Sequence, residues 1–163
     1  MATVYEAQCL GGDFQQRVIA FPVYGYRLEE APDVHMWVQL AWCRDCQKVV
    51  HAERLLSPGE AEERVEGGTN RNVRRDAERY HEMLVSRQSP PRCLHCGGTE
   101  ITPASGNGSE RILTHPACGN NITFHHSGHA RLSDETHLYS SEGKYLATVT
   151  GSLIPGRRYG RER

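Results

Sequence analysis

Four cysteines in two Cys-x-x-Cys pairs carry the clearest chemistry in this chain: Cys43-Arg44-Asp45-Cys46 and Cys93-Leu94-His95-Cys96. Two thiols three positions apart on a tight turn can ligate one soft ion. Two such turns brought together supply the four sulfurs of a closed tetrahedral zinc site. Iron is the other ion that takes four thiolates.

A second group competes for the role. His115-Pro116-Ala117-Cys118-Gly119 has the form of a metal-binding turn whose first cysteine is a histidine, and only 18 residues separate Cys96 from His115. Cys93, Cys96, His115 and Cys118 could therefore form the four-ligand set, leaving Cys43 and Cys46 to find partners such as Cys9 or His51. A third arrangement has two metals, with His115 and Cys118 joined by Cys9 or a nearby histidine. The plain alternative is that His115 and Cys118 shape a turn and bind nothing. Cys9, in Gln8-Cys9-Leu10-Gly11-Gly12, has no second thiol beside it and reads as a buried free cysteine.

The segment His125-His126-Ser127-Gly128-His129 is the other chemical concentration. On a strand, His125 and His126 face opposite sides and do not chelate one ion together. A hydrolase would place His115, His125 or His129 on an open zinc with a bound water. The sequence has no His-Glu-x-x-His, Ser127 lacks a Gly-x-Ser-x-Gly setting, and neither Gly11-Gly12 nor Gly67-Gly68 leads into Lys-Ser/Thr. A thioredoxin-like exchange at Cys43 and Cys46 needs a helix after the motif, where the residues instead predict a strand.

The elements that must position these groups follow from pattern. Val18, Ile19, Phe21, Val23, Tyr24 and Tyr26 predict a strand interrupted at Pro22. Residues 35–42 predict a second strand, with Met36, Val38, Leu40 and Trp42 on one face. Residues 47–55 predict the return strand after the first Cys pair. Ser57-Pro58-Gly59-Glu60 is a helix start with a capping box, and the helix should stop at Gly67-Gly68. A longer helix is expected over about 70–87, with Val73, Ala77, Tyr80 and Leu84 on one face and Pro90-Pro91 beyond its end. Short strands are expected at 100–103, 112–114 and 122–126, and a hairpin from 137–139 and 145–149.

The two Cys pairs with their flanking strands resemble a zinc ribbon, the broad group that includes rubredoxin-like knuckles. The second knuckle, ending in Gly97, fits well. The first has Gln47 where a ribbon usually has glycine, and the 46 residues between Cys46 and Cys93 exceed a compact ribbon. The resemblance implies an antiparallel, zinc-ribbon-like β core with an inserted helical segment at about 57–88, an α+β fold.

The 163 residues are expected to form one domain over 1–154, followed by a basic tail at 155–163. A mean hydropathy of -0.62 describes a chain that gains from a metal crosslink. The net charge of -1 implies no general attraction to nucleic acid or membrane. No basic leader with a long apolar run opens the sequence and no stretch is apolar enough to span a bilayer, so the expected location is cytoplasmic, with reduced thiols. The expected function is that of a non-enzymatic protein whose structural four-cysteine zinc site shapes a protein-binding surface, as in a regulator, adaptor or immunity-type inhibitor. Nucleic-acid binding through Arg71, Arg74, Arg75 and Arg79 is the second reading. Zinc-dependent hydrolysis through the histidine-rich segment is the third.

Overall fold

The computed structural model describes residues 2–19, 23–29, 33–68, 71–106, 110–131 and 135–150, and the tail expected at 155–163 lies outside them. The described residues form a mixed α+β fold of eleven strands and two helices, with every strand pairing but one antiparallel. They divide into two compact units. The first comprises Met1–Pro22, Val38–Arg54 and Pro90–Ser133; the second comprises Val23–Trp37, Leu55–Ser89 and Asp134–Arg163.

The first unit has two sheets. One has the order β2 (Gln15–Ile19), β1 (Ala2–Cys9), β9 (Asn121–Ala130), β8 (Ile112–Thr114). The other has the order β6 (Lys48–Glu53), β5 (Val38–Cys43), β7 (Ile101–Pro103). Ala7, Cys9, Val18, Leu113, Ile122 and Phe124 of the first sheet meet Leu40, Trp42 and Val49 of the second in one core. Burying both apolar faces against each other is what makes two small sheets stable. Strand β1 has no simple sequence signature because its buried positions change parity, from Ala2 and Val4 to Ala7 and Cys9. The change coincides with a register shift against β9 between Val4 and Tyr5, where Gly128 takes φ 139°.

The second unit holds a sheet in the order β11 (Tyr145–Thr150), β10 (Glu135–Tyr139), β3 (Val23–Tyr26), β4 (Val34–His35), in which β10 and β3 are parallel. The helices are α1 (Pro58–Glu66) and α2 (Arg71–Ser86). Ser57 and Glu60 form a reciprocal capping box, with Pro58 in the first turn and Gly67 closing the helix. On α2 the deeply buried residues are Tyr80 and Met83, while Val73 is exposed. The stripe expected from Val73 to Leu84 is thus rotated, and it admits Asp76, whose carboxylate accepts the His35 amide at 3.3 Å. Tyr80 packs against Tyr26 and its hydroxyl accepts the Leu56 amide.

The strand expected over 35–42 is corrected to two, β4 and β5, in different sheets. Met36 is buried and donates its amide to the Tyr24 carbonyl, and Trp37 lies under the Arg64 guanidinium at 4.0 Å. These anchors interrupt the strand, and beyond the break the expected one-face alternation is lost, because Leu40, Ala41, Trp42 and Cys43 are all buried. Among the described residues, no helix is long and apolar enough to cross a membrane.

Candidate metal centres

The Cys43 turn closes the β5–β6 hairpin, and the Cys93 turn precedes β7, which pairs with β5. Backbone hydrogen bonds bind the turns to each other's supports. The Arg44 amide donates to Glu100 O at 2.9 Å, and the Leu94 amide to His51 O at 2.9 Å. Buried Glu53 takes the Arg92 amide on its carboxylate and donates its own amide to Arg92 O. The result brings Cys43 Sγ to 3.6 Å from Cys96 Sγ and Cys46 Sγ to 3.8 Å from Cys93 Sγ, with all four sulfurs within 4.8 Å of one another. Metal–sulfur bonds of about 2.3 Å in a tetrahedron put the sulfurs about 3.8 Å apart, whereas a disulfide needs about 2.05 Å. The donor set and spacing therefore fit a metal ion. Four protein ligands complete a tetrahedron and leave no position for a reactive water.

Each turn requires a left-handed residue after its second ligand, a conformation that glycine adopts without strain. Gly97 supplies it with φ 78°. Gln47 does so with φ 51°, as a side-chain-bearing residue, and its Nε2 donates back to Arg44 O at 2.6 Å. The sequence departure at Gln47 is therefore accommodated without changing the turn.

Amides aim at the sulfurs. His95 N donates to Cys93 Sγ and Gly98 N to Cys96 Sγ, both at 3.4 Å. Burial nevertheless raises the Cys93 thiol to about 11 and raises that of Cys46 as well. At Cys96 burial acts in the same direction, but the Gly98 amide and the thiols of Cys46, Cys93 and Cys43 outweigh it and lower the pKa. A cation entering the group must displace the protons that burial holds on Cys93 and Cys46.

The second group is Cys9, Asp13, His115 and Cys118, whose donor atoms also lie within 4.8 Å of one another. Cys9 and Asp13 come from the β1–β2 turn, His115 and Cys118 from the β8–β9 turn, and β1 pairs with β9. Cys9 Sγ is 3.4 Å from Cys118 Sγ, His115 Nδ1 is 3.2 Å from Cys118 Sγ and 3.6 Å from Asp13 Oδ1, and Cys118 Sγ is 3.7 Å from Asp13 Oδ1. The His115 ring is buried against Trp42 and Phe14, which fixes its orientation. Burial raises Cys9 to about 11, whereas the Asn120 amide and then His115 lower Cys118. A hydrogen bond from Cys9 holds Asp13 below the usual carboxylate range. Asp13 has no signature in the sequence beyond its place four residues after Cys9 and behind two glycines. A cysteine followed by a glycine turn and a carboxylate is the signal that could have found it.

Neither group contains His125 or His129, and the arrangement joining Cys93 and Cys96 to His115 and Cys118 is not the one adopted. Cys9 lies with His115 and Cys118, not with Cys43 and Cys46, and His51 belongs to neither group. His125 bonds Thr123 along its own strand, and His126 stacks edge-on with His129. Arg71, Arg74 and Arg75 are exposed on α2, and Arg79 is half-buried beside Asp76. Comparison with protein-family models, curated proteins and solved structures produced no match.

Proposed function

We propose that this chain is a non-enzymatic zinc protein in which a structural ion, held by four cysteines, keeps a protein-binding surface in shape within a zinc-ribbon-like β core. The observation that carries the reading is the near-tetrahedral spacing of Cys43, Cys46, Cys93 and Cys96 between two turns cross-tied by backbone hydrogen bonds. A closed site of this kind stabilises structure and offers no reacting position. Its rim carries exposed Arg44 and the Lys48–His95 pair, in which Nζ donates to Nε2 at 3.0 Å, groups suited to polar recognition. A regulator, an adaptor or an inhibitor acting in the cytoplasm fits these properties.

Elemental analysis of the purified protein, together with affinity capture from the native host, tests the reading. Zinc in the protein and a partner retained by wild type but lost by Arg44→Ala/His95→Ala support it. Iron in place of zinc overturns the metal assignment. Tight, salt-sensitive binding to nucleic acid, lost when Arg71, Arg74, Arg75 and Arg79 are changed to Ala, moves the function to nucleic-acid binding.

A further inference from the structure

We propose that Cys9, Asp13, His115 and Cys118 form a second metal site, with two thiolates, one imidazole and one carboxylate, that takes a borderline divalent cation, zinc before iron. This inference is independent of the function of the four-cysteine group.

Geometry is the first argument. A tetrahedral zinc with bonds of about 2.3 Å to sulfur and about 2.0–2.2 Å to nitrogen and oxygen has edges of about 3.4–3.8 Å. Four of the six donor separations run from 3.2 to 3.7 Å, and the other two, from Cys9 to Asp13 and to His115, lie within 4.8 Å.

The second argument is that both turns repeat the backbone of the Cys93 turn. In that turn the first ligand donates its amide five residues ahead, from Cys93 N to Gly98 O at 2.8 Å. Cys9 N does the same to Phe14 O at 2.9 Å, and His115 N to Asn120 O at 2.8 Å. The Gly119 amide returns to His115 O at 2.8 Å, as the Gly97 amide returns to Cys93 O, and both glycines have left-handed φ. Gly11 N donates to Cys9 Sγ at 3.4 Å, as His95 N does to Cys93 Sγ. The Cys9 turn differs in one respect. Its left-handed residue, Gly12, comes one place earlier, and the second ligand follows it as Asp13 instead of preceding it as a cysteine. A structural turn that bound nothing would have no need of amides aimed at its sulfur or of a buried imidazole nitrogen turned toward two thiols and a carboxylate.

The ligand set indicates the ion. Two thiolates, an imidazole and a carboxylate mix soft and hard donors, which suits zinc and disfavours the all-thiolate preference of an iron–sulfur centre. Each group has two buried ligands, Cys43 and Cys93 in the first and Cys9 and His115 in the second; the others are half-buried Cys46 and exposed Cys96 in the first, and exposed Asp13 and Cys118 in the second.

The test is zinc content of the purified protein by elemental analysis, for wild type, Asp13→Ala and His115→Ala. About two ions per chain are expected in wild type and about one in each variant. Asp13 is 46% exposed, so its replacement leaves the core intact. Cobalt substitution gives a second readout, because thiolate-to-cobalt charge transfer scales with the sulfurs bound; Asp13→Ala should lose about a third of the band, two thiolates of six. One ion per chain in wild type, unchanged in Asp13→Ala, overturns the proposal. So does a native protein about two mass units light with Cys9 and Cys118 disulfide-linked. Loss of zinc only in Cys93→Ser would leave the four-cysteine site standing and remove this one.

Discussion

Cys9 Sγ and Cys118 Sγ lie 3.4 Å apart although 109 positions separate them in the chain. The pair sits at the turn ends of two neighbouring hairpins, and the stretch between them contains the whole four-cysteine group. Joining distant segments in the folded state is where a metal crosslink contributes most, because it restricts a long loop in the unfolded chain.

Removing one of the four cysteine ligands at 43, 46, 93 and 96 is expected to unfold the first unit. Apparent binding free energies of structural zinc in small peptides are on the order of 10–16 kcal/mol, against about 5–15 kcal/mol for the stability of a whole domain. Cys46→Ser, Cys93→Ser or a strong chelator should abolish the cooperative melt and the sheet signal in circular dichroism. A stripped protein that keeps its melting temperature would show the ion to be dispensable.

At Gln47 the left-handed φ of 51° strains a residue with a Cβ. Gln47→Gly is expected to stabilise by up to about 1 kcal/mol, reduced by loss of the bond to Arg44 O, and β-branched Gln47→Val to destabilise by about 1 kcal/mol or more. Denaturant midpoints of the two variants should fall on opposite sides of wild type; the same sign for both contradicts the strain argument.

Much of the local structure was legible in the sequence. The Ser57–Glu60 box, the Cys hairpin after β5 and the β10–β11 hairpin depend on neighbours within a few residues, where spacing dictates geometry. What escaped depends on pairing across long separations. Strand β1 lost its alternation to the irregularity opposite Gly128, and the parallel pairing of β10 with β3 leaves no local trace. Asp13 became a candidate ligand only when β1 was laid beside β9. The partition of donors between two groups was open for the same reason, since His115-x-x-Cys118 is as close in sequence to Cys96 as any compact site requires.

His51 gives the pH dependence. Burial lowers its pKa from 6.5 to about 4, against a weaker opposing hydrogen bond to the Ile19 backbone. The folded value lies below the unfolded one, so the neutral ring's contribution is fully present above about pH 6.5 and is lost as pH falls toward 4. The loss reaches up to about 3 kcal/mol. Thermal melts of wild type and His51→Gln across this range should differ in slope, with the variant flatter. Parallel curves would mean that His51 titrates alike in both states.

The helix start offers a milder test. Ser57 Oγ accepts the Glu60 amide while Glu60 Oε2 accepts that of Ser57. Ser57→Ala should cost about 1 kcal/mol, a downward shift of a few degrees in melting temperature, and Ser57→Asp should recover most of it. No recovery by aspartate would show that the hydroxyl acts elsewhere.

The ligands follow the order 9, 13, 43, 46, 93, 96, 115, 118, so one group is nested inside the other. A ribosome delivers them in that order. Once Cys96 has emerged, the inner four are all outside the tunnel, while Cys9 and Asp13 still wait for His115 and Cys118. At about 5–20 residues per second the wait is on the order of seconds. During it, Cys9 stands on an unfinished sheet whose neighbour β9 has yet to emerge. The inner group is therefore the first to be complete, and Cys9 is the candidate ligand that waits longest for its partners.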